Sequence, residues 1–367
     1  MHDSPIEQSG IERLYQIAAV PFEAARSITS LAPGHRARRI HGHSFLARAA
    51  LLAGGEPVAL ASELIRCVEC LDYRLLNELL VLPTDENLVH WLRERLGVAV
   101  RVGIQSTRNQ GADLDLQSCV HFWRRFRFEA AHRLPQVAST HPCGRMHGHG
   151  FDVILYATQC PSGGSTGTEV FDPDLLISAW QPLQETLHGS CLNDLPGLDN
   201  PTSEVLAYWI WHHLKPHLPW LSQVVIYETA SAACQYDGAT YRIWKTLYFE
   251  SALHLARGGS GHSHRIHGHS YLLRLHLLAP LDTVMGWTVD YGNVKEQFRP
   301  IYAQLDHHLL NDLPGLFDAE LGEVARWIRA QTHPLLPQLN RIDLYETPNC
   351  GAVLAWGEGD PTLVFHP

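Results

Sequence analysis

Histidines spaced as His-Gly-His occur three times in the chain, beginning at His41, His147 and His267. In a β-strand, alternate residues point to the same side, so the two imidazoles of each motif project into one place. Imidazole is a common zinc ligand, and a catalytic zinc needs three protein ligands and one open position. Only the middle motif has an obvious third candidate, His132. The sequence therefore predicts a zinc site at His132, His147 and His149.

The other two motifs lack this third histidine. Its position is held by Arg26 before the first motif and by Leu253 before the third. We therefore expect no zinc at the outer motifs. A rearranged metal site near the third motif stays open, because His254, His262 and His264 lie close to it in sequence.

A cysteine and an Asp-His pair could supply acid-base chemistry, but they accompany different motifs. Cys143 lies four residues before His147, and the outer motifs have no cysteine at that position. Beside a metal and a cation, a thiol can have a lowered pKa and act as a base. The pair Asp306 and His307 follows only the third motif. This complementary retention predicts one active site assembled from the second and third segments of the chain.

The sequences around the three motifs repeat as whole domains. FEAAR, FEAAH and FESAL precede them, and LDYRLLNELL, LHGSCLNDLPGL and LDHHLLNDLPGL follow in the same order. Each unit is about a hundred residues long, which is the size of a domain and too long for a solenoid repeat. We predict three tandem domains, at residues 1–115, 116–243 and 244–367, and refer to them as the first, second and third repeats.

Within each repeat, the periodicity of apolar residues changes from that of strands to that of helices and back. FDVILYAT and YLLRLHLL have the length and composition of strands. NPTSEVLAYWIWHHL is typical of a helix, capped by Thr202 or Ser203. The order strand, strand, helix, helix, strand, strand (ββααββ) predicts an α+β fold with helices on one face of an antiparallel sheet.

Composition excludes several classes of protein. The chain has 367 residues, of which 45% are hydrophobic and 18% are charged, so it is globular and not disordered. A net charge of −10 argues against a general nucleic-acid or membrane surface, so attraction of an anion needs a local patch. Without a signal peptide pattern or a transmembrane run, we expect a cytoplasmic protein. Its eight scattered cysteines then predict reduced thiols.

These motifs resemble the 6-pyruvoyl-tetrahydropterin synthase family, most closely its bacterial 6-carboxy-tetrahydropterin synthase branch, which serves queuosine biosynthesis. The second repeat carries the resemblance in FRFEAAHRLP, CGRMHGHGF, LNDLPGLDNPTSEVLAYWIW and YETASAAC. The third carries it in GWTVDYGNVKEQF, LDHHLLNDLPGL and YETPNCG. The first repeat is similar only through FEAA and RIHGHSF.

The resemblance implies the tunnelling fold, or T-fold. Three such domains close a twelve-stranded antiparallel β-barrel with the helices outside, and two barrels stack end to end. Three fused repeats would then form one barrel per chain. Two chains would form a homodimer equivalent to the family's hexamer, with active sites at interfaces between repeats.

The resemblance also implies roles for individual residues. The implied ligands of Zn²⁺ are His132, His147 and His149. Cys143 would be the general base, and Asp306 with His307 would complete the acid-base relay. Glu228 and Glu346 match the glutamate that anchors the pterin, whereas the first repeat has a glutamine there.

The implied activity is that of a lyase. It would eliminate triphosphate from 7,8-dihydroneopterin triphosphate, followed in the 6-carboxy branch by cleavage of the side chain. The expected partner is this small pterin, with no nucleic acid and no membrane. Three alternatives stay open: a relative acting on another substrate in specialised metabolism, an inactive pterin- or zinc-binding protein, and a structural barrel. Retention of Cys143, Asp306 and His307 favours an enzyme, because binding needs none of them.

Overall fold

The computed structural model describes residues 11–54, 57–161, 171–257, 261–357 and 365. The first repeat contains β1 (Arg13–Arg26), β2 (His41–Leu52), α1 (Pro57–Glu69), β3 (Arg74–Leu75), α2 (Asp85–Leu96), β4 (Val100–Thr107) and β5 (Gln110–Leu114). The second contains β6 (Val120–His132), β7 (His147–Gln159), α3 (Asp174–Leu187), α4 (Ser203–Leu214), β8 (Leu221–Thr229) and β9 (Ala232–Tyr236). The third contains β10 (Tyr241–Leu253), β11 (His267–Leu278), α5 (Tyr291–Leu305), β12 (His308–Leu309), α6 (Leu321–Thr332), β13 (Leu339–Thr347) and β14 (Cys350–Ala355). None of these helices has the length and apolarity needed to cross a bilayer.

The long strands of the described residues form one closed antiparallel barrel. Within each repeat the four long strands pair in chain order, and β5–β6, β9–β10 and β14–β1 pairs join the repeats into a ring. The short β3 and β12 lie outside this ring and pair in parallel with β1 and β10. The prediction of an α+β fold, with three ββααββ repeats closing a twelve-stranded barrel, is confirmed.

The domain limits stay a prediction, and their positions can be given relative to the strands. The expected join near residue 116 lies between β5 and β6. The expected join at residue 243 lies just inside β10, which begins at Tyr241.

Equivalent aromatic pairs fix the register of the first two strands in all three repeats. These pairs are Phe22–Phe45, Phe128–Phe151 and Phe249–Tyr271, with ring centroids 4.8, 5.0 and 4.8 Å apart. Each pair is stacked and fully buried in the core between the barrel and its helices. Because the second His of each His-Gly-His motif lies two residues before the pair's second ring, the same packing positions the histidines.

Helix α4 begins at the contact between the second and third repeats. Thr202 is its N-cap, and its hydroxyl accepts a hydrogen bond from the Val205 N–H. The same hydroxyl donates to the carbonyl of Gly286 in the third repeat. Of the two predicted caps, the structure therefore selects Thr202, which links the helix start to the neighbouring repeat.

One expectation about the cysteines is wrong. Cys119 and Cys160 are joined by a disulfide, and the six other cysteines are free. Cys119 directly precedes β6 and Cys160 directly follows β7. Because Val120 pairs with Gln159 in the antiparallel register, the two cysteines come to lie opposite each other. The pairing depends on this register, which cysteine spacing alone does not reveal.

Glu204 is a buried acid at the same inter-repeat contact. Its Oε1 accepts hydrogen bonds from the Thr288 N–H at 2.8 Å and from the Thr288 hydroxyl at 3.1 Å. Burial raises the pKa of Glu204 from 4.5 to about 7. Between these values the folded state keeps a proton that the unfolded chain releases. The associated stability is therefore present at low pH and is lost as the pH rises towards 7.

We predict that Glu204→Gln stabilises the protein more at high pH than at low pH. Glutamine keeps the acceptor for Thr288 and carries no charge. The free energy of unfolding of the variant, relative to wild type, should rise by roughly 2–3 kcal/mol between about pH 5 and pH 8. Thermal unfolding across that range measures it, with the exposed Glu185→Gln as the control. A pH-independent difference would contradict the prediction.

Candidate metal centre and active site

The three predicted zinc ligands converge where β6 ends and β7 begins. The register places His132 opposite His147, and the three imidazole centroids are 4.5 to 5.2 Å apart. Glu228, near the end of β8, completes the cluster, with Oε1 3.7 Å from His132 Nε2 and 3.4 Å from His149 Nε2. One ligand atom from each of the four residues lies within 4.8 Å of the others.

Hydrogen bonds orient two of these imidazoles for metal binding. His132 Nδ1 lies 3.0 Å from the Pro201 carbonyl, and His147 Nδ1 lies 2.7 Å from the Arg145 carbonyl. A carbonyl can only accept, so each Nδ1 carries the proton and each Nε2 presents its lone pair. Burial lowers the pKa of His132 to about 4, which keeps its ring neutral near pH 7.

Two imidazole nitrogens of the site lack a partner, and a bound cation would supply one. Nε2 of His132 and Nε2 of His149 are buried and have no hydrogen-bond partner. Leaving buried polar atoms without partners costs free energy, whereas a zinc ion would use both lone pairs. A neutral three-histidine set is also a ligand combination of catalytic zinc. The residues of the second repeat therefore fit the metal that the resemblance implies.

Glu228, the expected pterin anchor, lies within 3.7 Å of two of the three histidines. Burial raises the pKa of this carboxyl to about 7, and the Ser203 hydroxyl lies 3.5 Å from it. Ligand atoms of a tetrahedral zinc are about 3.3 Å apart, which is close to the measured separations from the imidazoles. The geometry suits contact with the metal or with a molecule bound next to it.

Cys143 lies in a short 3₁₀ turn, Pro142–Gly144, just before β7. The N–H of Cys143 donates to His141 Nδ1 at 3.2 Å, and the side chain is half-buried. Burial, followed by the charges of Glu228 and Asp290, raises the pKa of the thiol. This is opposite to the lowered pKa expected from sequence, because burial and two carboxylates act on the thiol in the same direction. A bound dication would oppose both of them.

Another wall of the site comes from the third repeat. His141 Nε2 lies 3.5 Å from Asp290 Oδ2, and the Ser203 hydroxyl lies 3.3 Å from the Tyr291 hydroxyl. These four residues were not predicted from the sequence as part of the site. A signal was present, because Asp290 is the N-cap of α5 and Ser203 is the first residue of α4. Two helix starts from adjacent repeats meet here.

Asp306 and His307 form the predicted pair, with His307 Nδ1 2.9 Å from Asp306 Oδ2. They follow the C-terminal end of α5, whereas Asp290, the neighbour of Cys143, caps its N-terminal end. The 15 residues of α5, at 1.5 Å each, separate the two ends by about 22 Å. The His307 side chain is 76% exposed, beside Glu250 of β10. The structure therefore does not bring this pair to the zinc ligands of the same chain, which corrects the expected composite site within one chain.

The third repeat has no such centre in the described residues. Glu346 Oε2 lies 3.8 Å from His269 Nε2, which copies the second repeat, but Leu253 replaces the third histidine. Among the described residues, His254, His262 and His264 belong to no cluster of three ligand atoms close enough to share an ion. The alternative of a rearranged third-repeat metal site gains no support.

In the first repeat, an arginine replaces the metal-binding histidine. Arg26 Nη1 donates to the Pro83 carbonyl at 3.0 Å, as His132 Nδ1 does to the equivalent carbonyl of Pro201. The same Nη1 lies 2.6 Å from Asp85 in a buried ion pair. Burial and the charge of Arg26 lower the pKa of His43 to about 4. A guanidinium cation thus takes the place of the third imidazole, and its charge would oppose a metal ion there, but the expectation of no metal at the first motif stays a prediction.

Comparisons with known proteins find similar sequences for the second and third repeats. The model of the family described as 6-pyruvoyl tetrahydropterin synthase matches residues 121–239 and again residues 242–355. A 6-carboxy-5,6,7,8-tetrahydropterin synthase from Synechocystis is 36% identical over 118 residues, covering 31% of this chain and 90% of that protein.

Two solved structures cover different shares of the chain. The 6-pyruvoyl tetrahydropterin synthase of Caenorhabditis elegans is 23% identical, with a TM-score of 0.30, over 33% of this chain and 96% of that one. Uricase from Arthrobacter globiformis is 12% identical, with a TM-score of 0.33, over 67% and 96%. The family model matches more than half of the sequence in two successive copies. This chain therefore belongs to the 6-pyruvoyl tetrahydropterin synthase family.

Proposed function

We propose that the protein is a zinc-dependent pterin synthase, a lyase that acts on 7,8-dihydroneopterin triphosphate. Its activity would be most like that of 6-carboxy-tetrahydropterin synthase, the name carried by the Synechocystis relative. The observation that carries the proposal is the cluster of three histidines with two buried, unpartnered Nε2 atoms. A thiol and two carboxylates adjoin this cluster, as elimination with proton transfer requires.

The residues divide the chemistry among themselves. When bound by His132, His147 and His149, zinc would supply Lewis acidity towards the side-chain oxygens of the substrate. Cys143 would remove a proton from the side-chain carbon, since it lies at the same end of β7 as the ligands. Glu228 can accept N–H bonds from the pyrimidine edge of a pterin, or approach the metal. Tyr291 and Ser203 would limit the access of water on the side of the third repeat.

Asp306 and His307 would serve the site of a second chain. They lie at the barrel end where the His-Gly-His motifs begin, which we call the rim. The residue before each motif is apolar and exposed there: Ile40 at 69%, Met146 at 53% and Ile266 at 69%. An apolar ring around one end of a barrel favours stacking against a copy of itself. A two-fold interface is reciprocal, so it can place each second repeat against the partner's third repeat.

We predict one tightly held zinc ion per chain. His147→Ala should abolish it because only two histidine ligands then remain. The double variant His41→Ala, His43→Ala should retain it, because Arg26 excludes metal from the first repeat. Elemental analysis after dialysis against a weak chelator measures the ratio. Two or three retained zinc ions per chain would contradict the assignment of a single zinc centre.

We predict that Cys143→Ala keeps zinc and loses activity. The thiol is the proposed base, so turnover of 7,8-dihydroneopterin triphosphate should fall about a hundredfold or more, while the histidines still hold the ion. The exposed Cys70→Ala is the matched control and should retain full activity. Steady-state kinetics and zinc content are measured on the same samples. Loss of zinc together with activity would instead make Cys143 a ligand.

We predict that two inactive variants restore activity when their chains are mixed. His147→Ala lacks the zinc half of the site, and His307→Ala lacks the relay half. In a mixed dimer, the intact zinc half of one chain meets the intact relay of the other. Random pairing of equal amounts should recover about one quarter of wild-type activity.

The matched control mixes His147→Ala with Cys143→Ala. Both changes damage the zinc half, so every dimer should stay inactive. Light scattering should give twice the 41.2 kDa chain mass for each protein. If differently tagged chains form mixed dimers and the first mixture still shows no activity, the relay does not act between chains.

A further inference from the structure

A cavity of about 670 Å³ lies between the first and second repeats, at the place equivalent to the zinc site between the second and third. We call it the repeat 1–2 cavity. Residues from both repeats line it, among them Arg26, His41, His43, Phe122, Arg124 and Phe171. We propose that the repeat 1–2 cavity is a second, metal-independent binding site that takes a small organic anion.

The first argument is that a cation is already built into this site. The guanidinium of Arg26 lies in the place of the metal-binding imidazole and is only 4% exposed. Its partner Asp85 is fully engaged, because it also accepts hydrogen bonds from Ser106 at 2.7 Å and Gln110 at 3.2 Å. The Nε of Arg26 is buried without a hydrogen-bond partner. An oxyanion near it would complete the hydrogen bonding of a guanidinium.

The second argument is the size and lining of the cavity. Its volume falls within the roughly 300–1,000 Å³ of small-molecule sites. Phe122 and Phe171 stack with ring centroids 4.2 Å apart and form an apolar part of the wall. Nε2 of His43 is buried and has no hydrogen-bond partner. Apolar walls with a few unpartnered polar atoms are typical of a ligand site.

The third argument is the local charge. The lining contains four arginines and three aspartates, although the whole chain carries a net charge of −10. Arg36 and Arg39 belong to the loop HRARR at residues 35–39, so positive charge is concentrated beside the cavity. Asp174 already lies 3.0 Å from His35 and 3.6 Å from both Arg36 and Arg124. Asp85 and Asp174 are therefore paired within the protein, and the four arginines exceed the three aspartates of the lining by one positive charge, which favours an anionic ligand.

These features define the ligand by its chemistry. It carries a carboxylate or a phosphate for the arginines and a compact apolar body for the phenylalanine wall. A planar carboxylate and a tetrahedral phosphate each present two oxygens that a guanidinium can bind through paired hydrogen bonds. Benzoate carries a carboxylate and phenyl phosphate carries a phosphate, each attached to the same phenyl ring. Neither ligand needs zinc, which separates this site from the proposed catalytic one.

Isothermal titration calorimetry of the full chain, loaded with zinc, tests the proposal with both probes. We expect at least one of them to bind once per chain. Arg124→Gln should weaken that binding about tenfold or more, because it removes a charge-assisted hydrogen bond. Arg36→Gln, at a side chain that is 68% exposed, should weaken it without risk to the fold. Thermal unfolding verifies that each variant is folded.

Two matched variants show where the probe binds. Lys245→Gln changes the residue of the third repeat that is equivalent to Arg124, and His147→Ala removes a zinc ligand. Both should leave the titration unchanged if the probe occupies the repeat 1–2 cavity. The proposal is overturned if neither probe binds the wild-type protein. It is also overturned if Lys245→Gln or His147→Ala abolishes binding while Arg124→Gln and Arg36→Gln do not weaken it.

Discussion

The antiparallel register between the first two strands of a repeat is the constraint on which the site depends. Phe128 stacks on Phe151, and this pairing sets His132 opposite His147. A slip of one residue would turn the histidines of β7 to the opposite face of the strand. The same stacked pair recurs in the two repeats that lack the third histidine. The barrel therefore preserves the geometry of a site whether or not its chemistry survives.

That separation of scaffold from chemistry explains how the repeats have diverged. Pro201 and Pro83 offer equivalent carbonyls, one to an imidazole and the other to a guanidinium. Arg26 could replace a histidine because Asp85 supplies the compensating charge in the same buried place. An unpaired buried arginine would have been far more costly. At this site the arginine and its compensating aspartate therefore occur together, in a repeat that keeps the stacked aromatic pair.

Local motifs predicted most of the fold and half of the site. The three histidines and Cys143 lie within two adjacent strands and the turn between them, so spacing was sufficient to group them. Asp306 and His307 were grouped with them because the second and third repeats retain complementary residues. That pattern gives no information about the distance between the residues. The helical pattern from Tyr291 to Leu305 is long enough to predict that Asp306 lies far from Asp290. The disulfide and the Arg26–Asp85 pair could not be predicted, because both depend on contacts between segments far apart in sequence.

Closure of the ring within one chain has a consequence for its folding. Strand β1 pairs with β14, so Ile17 lies beside Gly351 across nearly the whole length of the sequence. During synthesis, the outer edge of β1 has no partner until the last strand leaves the ribosome. An open edge of this kind is where chains add to one another and aggregate. A contact at such sequence separation also forms slowly. Fusion of the repeats thus removes the need to assemble separate subunits, but it leaves one edge of β1 unpaired until β14 has been synthesised.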